Sequence, residues 1–122
     1  MTIPARSETI ERIERPWGWY ETLSEVPGHK IKRICVNPGQ QLSLQSHRQR
    51  AEHWVVVKGQ AHVTVGEQVL DLETGAHVDI AIGQVHRLAN RSGAPLEIIE
   101  VQFGTYLGED DIVRLSDDYS RT

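Results

Sequence analysis

The chain has 122 residues, and 13 lysines and arginines against 17 aspartates and glutamates give a formal net charge of −4. This length allows one domain with its own core, while a single cysteine, Cys35, excludes an intrachain disulfide and a cysteine-based metal cluster. The sequence has no apolar run of ~20 residues, no signal-like N-terminus and no basic segment with interleaved aromatics, so we expect a cytoplasmic protein that binds neither membrane nor nucleic acid.

Residues 1–14 are polar and charged, and their pattern fits two kinds of local structure. Glu8 and Arg12 have the i,i+4 spacing of a helical ion pair, whereas the alternation over residues 9–13 equally fits an edge strand. Pro16 would end a helix at this point. We therefore treat residues 1–14 as an N-terminal arm and residues 15–122 as a single domain.

Between residues 20 and 105, short runs rich in β-branched residues are separated by glycines and Pro-Gly pairs. The alternation in AHVTV is the period of a half-buried strand, and no window in this region has a convincing helical stripe. Many short strands with regular turns predict an all-β fold, either a β-sandwich or a small barrel. The predicted strand runs are 31–36, 52–57, 61–65, 77–82 and 96–103.

The C-terminal stretch, residues 108–119, differs in composition from the strand region. It reads GEDDIVRLSDDY, with acidic residues where the dipole of a helix favours them in the first turn. We therefore expect a short helix or a turn after the last strand.

Two groups of glycine and polar residues are spaced in a regular way. The first is Gly39, Gln45, His47, Glu52 and Gly59, and the second is Gly75, Gly83, His86 and Asn90. This spacing resembles the two-part signature of the cupin superfamily, which implies a double-stranded β-helix, or jelly-roll, barrel. Two positions depart from it, because Gln45 stands where the first motif usually has histidine and Ala81 where the second usually has proline.

Strand geometry independently supports a shared site for the polar residues of these motifs. Gln45 and His47 are two positions apart on one strand, so their side chains point to the same face. A turn then returns the chain to Glu52, and His86 arrives from a separate strand. Four such donors suit one divalent ion, namely Zn, Mn, Fe, Co or Ni, and one carboxylate leaves a net charge of about +1, as a Lewis acid needs. The alternative is that these are only polar loop residues.

The other histidines lack a partner at ligand spacing. His53 follows Glu52 directly, so alternation turns its side chain to the opposite face of the strand. We expect a structural role for His53 and ordinary surface or core positions for His29, His62 and His77.

Three longer segments resemble a particular cupin family. RPWGWYETL (15–23), HKIKRICVNPGQQLSLQSHRQRAEHWVVVKGQAHV (29–63) and HRLANRSGAPLEIIEVQFGTYLGEDDIVRLSDDYSR (86–121) resemble the cupin domain of type II phosphomannose isomerases. In that family a mannose-6-phosphate isomerase is usually fused behind a mannose-1-phosphate guanylyltransferase. The most specific motifs are QxHxxRxEHWxVVxG (45–59), whose glutamine is the family's own feature, and EVQxGxYLGEDDIVR (100–114).

The resemblance implies metal-dependent interconversion of mannose 6-phosphate and fructose 6-phosphate through an enediol. These 122 residues contain no glycine-rich nucleotide-binding loop, so we expect the isomerase-like domain alone, without guanylyltransferase activity. Two further departures affect the pocket wall and the tail: VDIAIG (78–83) differs from the family's strand, and Ser120 precedes Arg121 in place of glycine.

An aldose–ketose isomerase needs a general base and a cationic group for the phosphate. Alternation puts Glu100 and Gln102 on one face of their strand, opposite Ile99, Val101 and Phe103. We take the latter as the packed apolar face, so Glu100 is expected to look into the cavity, where it is either the base or the partner of an arginine. The resemblance implies catalytic or phosphate-binding roles for Arg50, Arg114 and Arg121, and the remaining candidates for substrate binding are Gln102 and either Lys32 or Arg33.

Two other functions remain open from the sequence. One is a non-catalytic module that binds a sugar or sugar phosphate, and the other is a different small cupin enzyme, such as a dioxygenase or another isomerase. The exposed strands and the aromatic segment Trp17–Trp19 suggest an edge that needs covering, so we expect a homodimer.

Overall fold

The computed structural model describes residues 10–119, which contain eleven β-strands. They are β1 (Arg12–Arg15), β2 (Gly18–Val26), β3 (His29–Val36), β4 (Leu44–Ser46), β5 (Arg50–Lys58), β6 (Ala61–Val65), β7 (Gln68–Leu72), β8 (His77–Ile80), β9 (His86–Ala89), β10 (Leu96–Gly104) and β11 (Val113–Ser116). The predicted all-β barrel is confirmed, and within these residues no helix is long and apolar enough to cross a membrane.

The strands form two antiparallel sheets. Sheet A has six strands in the order β1-β2-β3-β10-β5-β8, and sheet B has five in the order β11-β4-β9-β6-β7. The sequence left a helix or an edge strand open for the N-terminal stretch, and residues 12–15 form the edge strand. This strand crosses the boundary that we placed after residue 14. The C-terminal stretch forms a turn at residues 109–110 and then β11, which pairs with β4.

Apolar side chains from both sheets fill one part of the interior. The fully buried ones include Val36, Val56, Val63, Leu88, Leu96 and Ile98. Trp17 is also buried, and the guanidinium of Arg12 lies 3.6 Å from the ring centroid of Trp19. The aromatic segment is therefore covered within the chain itself and does not supply the exposed edge on which we based a homodimer. The homodimer itself stays a prediction.

Strand β10 shows that the interior is not uniformly apolar. Leu96, Ile98, Glu100 and Gln102 all point inward and are buried, whereas the opposite face is half-buried and Phe103 is 48% exposed. Glu100 thus faces the interior as expected, but the reason we gave was wrong. The apolar residues of the other face lie on the outside of sheet A.

Two motif residues have structural roles at the apolar end of the barrel. Asn90 donates from Nδ2 to the carbonyls of Val36 and Ala94, at 2.9 and 2.7 Å, and so holds the turn between β9 and β10. Gly59 has a φ of 83°, and a Cβ there would lie 2.6 Å from the carbonyl oxygen of Pro95. The cupin-like spacing thus includes residues that close the barrel as well as residues that face the site.

Candidate metal centre and its pocket

The register of sheet A gathers polar side chains at one end of the barrel. Glu100 is paired with Lys32 on one side and Trp54 on the other, and the next inward position pairs Gln102 with Lys30 and Glu52. All of these side chains are buried. Burial of so many polar groups is costly unless they bond to one another or to a ligand.

His47, Glu52 and His86 form the one group in residues 10–119 that could hold a metal ion, with ligand atoms within 4.8 Å of one another. His47 Nε2 lies 3.1 Å from Glu52 Oε2, and His86 Nε2 lies 3.9 Å from Glu52 Oε1. Gly83 helps to assemble the group, because its N–H donates to the His47 carbonyl at 2.8 Å in the turn before β9.

Both histidine rings are oriented by backbone carbonyls. His47 Nδ1 is 2.7 Å from the carbonyl oxygen of Asp111, and His86 Nδ1 is 2.9 Å from that of Gln84. A carbonyl only accepts, so each Nδ1 is the donor and each ring turns its Nε2 toward the centre. Burial lowers the pKa of His86, and its Nε2 has no hydrogen-bond partner. This donor set therefore fits a divalent metal ion.

Gln45, the fourth predicted ligand, pairs directly with His86 across β4 and β9. Its Oε1 accepts a hydrogen bond from Ser43 Oγ at 2.8 Å, and its side chain lines the pocket described below. The amide oxygen is thus next to the centre but already has a protein partner.

Two carboxyl groups meet at the centre. Trp54 Nε1 donates to Glu52 Oε1 at 2.8 Å and lies 3.1 Å from Glu100 Oε1. Burial opposes ionisation of both, but hydrogen bonds from His47 and Glu100 and the charge of Arg50 hold the pKa of Glu52 well below its usual value. Burial and the charge of Glu52 raise the pKa of Glu100 to about 8. The two carboxyl groups therefore titrate as a pair rather than independently.

Arg50 contacts the centre rather than standing free as a phosphate clamp. It is the first residue of β5, and its Nε donates to Glu52 Oε2 at 2.8 Å while its Nη2 lies 3.3 Å from His47 Nε2. Its Nη1 is buried without a hydrogen-bond partner. The guanidinium thus uses the same atoms of Glu52 and His47 that a metal ion would use.

A pocket of about 120 Å³ opens beside the centre, and four of its lining residues are cationic: Arg15, Lys32, Arg50 and Arg114. Gln45, Glu100 and Glu109 also line it, whereas His47, Glu52 and His86 do not. Arg50 and Glu100 stand between the pocket and Glu52. A ligand in the pocket therefore meets these two side chains before it reaches the centre.

The structure resolves which cations face inward. Lys32 points into the barrel, 4.2 Å from the ring centroid of Tyr20, and forms an ion pair with Glu109. Arg33 is on the outer face, bonded to Glu97 and Glu21. Arg114 lines the pocket with its Nε buried and unpartnered, whereas Arg121 lies outside the described residues.

Gln102 does not line the pocket. It is fully buried, and its Nε2 donates to Glu100 Oε2 at 2.8 Å. Its position gives it contact with Glu100 rather than with a molecule in the pocket.

The remaining histidines lie on the outer surfaces of the sheets. His53 bonds to Asp79 and His62 bonds to Asp71, in both cases through Nδ1. His77 is exposed beside His53, and His29 is exposed at the start of β3.

Sequence reasoning missed several residues of this region. Trp54 carried a usable signal, because it is two positions after Glu52 on the same strand and so shares its face. No local pattern singled out Tyr20, Glu109 or Asp111, although each lies in a motif quoted above. Their contacts join segments that are far apart in the chain.

Comparison with known proteins places the chain in a family. The family profile "Mannose-6-phosphate isomerase C-terminal" matches residues 5–117. The xanthan biosynthesis protein XanB of Xanthomonas campestris is 53% identical over 119 residues, covering 96% of this chain and 26% of that protein. The mannose-1-phosphate guanylyltransferase ManC of Salmonella typhimurium is 46% identical, covering 89% of this chain and 23% of that protein. The chain thus spans about a quarter of the length of these curated relatives.

Solved structures agree on the fold. A protein with a double-stranded β-helix domain from Klebsiella pneumoniae has a TM-score of 0.69 at 21% identity and covers 92% of this chain and 88% of its own. At that identity the likeness concerns the fold alone. The family profile, which matches most of the chain, shows that the chain belongs to the mannose-6-phosphate isomerase C-terminal family and is the cupin domain of that family.

Proposed function

We propose that this chain is a metal-dependent isomerase that interconverts mannose 6-phosphate and fructose 6-phosphate through an enediol. The observation that carries the proposal is the buried His47–Glu52–His86 donor set beside a pocket with four cationic lining residues. Family membership supplies the substrate class, since the family is named for mannose-6-phosphate isomerase.

In this proposal His47, Glu52 and His86 hold one divalent ion, and Gln45 is the fourth ligand. The bound ion supplies a Lewis acid that polarises oxygens of the sugar and stabilises the negative charge that develops on them. The protein itself fixes the direction of both imidazoles through their Nδ1 contacts and keeps water away from this buried end of the barrel.

Proton transfer between two adjacent carbons needs a group that takes a proton and returns it. We assign this role to Glu100, because it is on the pocket wall and is held by Gln102 and Trp54. The other carboxyl group on the wall, Glu109, is paired with Lys32 and has a side chain that is 49% exposed. Of the two, Glu100 is the group shielded from solvent.

The phosphate would be bound by Lys32, Arg50 and Arg114, and by Arg121 as the family resemblance implies. Two of these already present a buried donor without a partner, Arg50 Nη1 and Arg114 Nε. The pocket is smaller than the roughly 300 Å³ of a usual ligand site. Substrate binding in this proposal therefore turns Arg50 away from Glu52 and displaces the Glu109 side chain from the opening.

The test is an isomerase assay on the purified chain. The protein is stripped with a chelator, reloaded separately with Mn, Fe, Co, Ni or Zn, and assayed for conversion of mannose 6-phosphate to fructose 6-phosphate. We expect turnover that is lost on stripping and restored by at least one metal. Mannose without its phosphate is the control and should react poorly, because it lacks the group that the cations bind.

Absence of turnover with every metal would contradict the isomerase assignment. Saturable binding of mannose 6-phosphate without turnover would instead identify a sugar-phosphate binding module. Oxygen uptake by the iron-loaded protein would identify a dioxygenase.

A homodimer and a cytoplasmic location complete the proposal. The half-buried apolar residues on the outer face of β10 are the surface that best supports self-association, with Phe103 48% exposed. Light scattering of the purified chain measures its mass directly, and a monomeric mass would contradict the dimer without affecting the proposed reaction.

A further inference from the structure

Asp111 is a buried carboxylate outside the candidate donor set, with 7% of its surface exposed. It follows the turn at residues 109–110 and precedes β11. The family-specific motif ending EDDIVR contains it, but the proposed reaction gives Asp111 no role. A buried charge of this kind needs partners to offset its loss of hydration.

The partners of Asp111 are three consecutive residues of the loop between β4 and β5. Its Oδ1 accepts from the N–H of Arg48 at 2.9 Å, and its Oδ2 accepts from the N–H of Gln49 at 3.0 Å. Its backbone carbonyl accepts from His47 Nδ1 at 2.7 Å. One residue thus holds both the loop and the imidazole that the loop carries.

The two candidate histidine ligands are therefore oriented in different ways. His86 is held by the carbonyl of Gln84, two residues earlier in its own chain segment. His47 is held by a residue 64 positions away, so its orientation depends on the long-range docking of the segment before β11. Hydrogen bonds of this type to the second ring nitrogen commonly set the tautomer and direction of a metal-binding histidine.

We propose that Asp111 is a positioning residue for His47, with its carboxylate anchoring the 47–49 loop and its carbonyl fixing the ring with Nε2 toward Glu52. This inference rests on the metal site of the proposed function. Because Glu109 lies two residues earlier and pairs with Lys32, the same segment links the orientation of a candidate metal ligand to the mouth of the pocket.

The experiment measures Co(II) binding by the full chain and its Asp111→Ala and Asp111→Asn variants, using calorimetry and the visible absorption of bound Co(II). We expect Asp111→Ala to weaken Co(II) binding by about 10- to 100-fold, as loss of such supporting contacts typically does, and to change the absorption spectrum. The Co(II) affinity of Asp111→Asn should lie between those of the wild type and Asp111→Ala, because the amide oxygen can replace only one of the two carboxylate acceptors. Asp110→Ala is the matched control, since Asp110 is exposed and bonds to Tyr106, and it should bind like the wild type.

Wild-type Co(II) affinity and an unchanged spectrum in both Asp111 variants would overturn this inference alone. A wild-type chain that binds no Co(II) would overturn the proposed metal site, and this inference with it. If Asp111→Ala fails to fold by circular dichroism, the affinity and spectrum of Asp111→Asn decide the question.

Discussion

The two ends of the barrel interior are built on the same three strands but have opposite contents. At one end, the inward positions of β3, β5 and β10 are Val36, Val56, Leu96 and Ile98, all nearly inaccessible to solvent. Two to six residues away on the same strands, the inward positions are Lys30, Lys32, Glu52, Glu100 and Gln102, which are also buried.

The difference lies in how burial is made favourable. At the apolar end burial is itself the stabilising term, at roughly 25 cal/mol per Å². At the polar end burial costs free energy, and hydrogen bonds among Arg50, Glu52, Trp54 and Glu100 offset it. The four buried side-chain atoms that lack a partner within residues 10–119 belong to Arg50, His86, Gln102 and Arg114, which are at this end or line its pocket. One end therefore carries stability, and the other carries groups that a ligand would complete.

The largest effect should come from removing a candidate ligand. His86→Gln should weaken binding of a divalent metal by more than about 100-fold, since loss of mere supporting contacts already costs up to that much, and should abolish isomerase activity. Its free energy of unfolding should fall by only about 1–3 kcal/mol, because the hydrogen bond that is lost is the one from Nδ1 to the Gln84 carbonyl, while Nε2 makes none within the protein. Calorimetric metal titration and urea unfolding measure the two quantities. The matched control is His53→Gln on the outer face, and equal metal affinity in both variants would contradict the assignment of His86.

The next effect should appear at the apolar end. Ile98→Ala removes fully buried methyl groups and should lower the free energy of unfolding by about 2–5 kcal/mol, as read from urea denaturation. Metal affinity of the folded variant should match the wild type, although Glu100 is only two residues away. Ile99→Ala, at the adjacent half-buried outer position, should cost less. A parallel loss of stability and metal affinity in Ile98→Ala would show that the two ends are not separable.

Arg50→Ala tests the side chain between the centre and the pocket. We expect kcat/KM for mannose 6-phosphate to fall about 10- to 100-fold, the size of a lost hydrogen bond to a charged group. Metal affinity should not fall, because the variant removes a guanidinium that competes with the metal ion for Glu52 and His47. Arg48→Ala, at an exposed neighbouring position, serves as the control. Unchanged kinetics in Arg50→Ala would contradict its role in binding substrate.

The smallest effect concerns the mouth of the pocket. Glu109→Gln removes a carboxylate that competes for Lys32, and we expect inorganic phosphate to bind about 3- to 5-fold more tightly, as suits a half-exposed ion pair. Calorimetric titration with phosphate measures this, with Asp110→Asn as the control. Weaker phosphate binding in Glu109→Gln would mean that Glu109 contributes to the anion site.

Local patterns predicted the central strands and the facing of individual residues. Alternation is a property of the strand itself, so it correctly put Glu100 and Gln102 on one face of β10 and His53 on the opposite face of β5 from Glu52. It could not tell which face of β10 was packed, because the interior changes from apolar to polar along a single strand. Strands such as β2 and β7 escaped prediction, since their polar and apolar residues follow no strong pattern.

Contacts between distant segments could not be predicted from local sequence patterns. The resemblance gave Arg50 a catalytic or phosphate-binding role but not its contacts: β5 begins at Arg50, and the pleat directs its side chain to Glu52. Asp111 meets His47 only because β11 returns to pair with β4, in a register that no local pattern specifies. The candidate donor set could be predicted from spacing, whereas the groups that orient and cover it could not.

Strand β1 sets a limit on how this domain can be dissected or fused. It supplies the outer partner of β2 from Arg12↔Glu21 to Arg15↔Gly18, and Arg12 covers the ring of Trp19. A fragment beginning at Trp17 would turn the nine-residue β2 into a bare sheet edge and uncover that ring, both of which invite association with other chains. The sequence of β1, RIER, is short and charged, as suits a protective edge. Tags and fusion partners therefore belong ahead of Arg12.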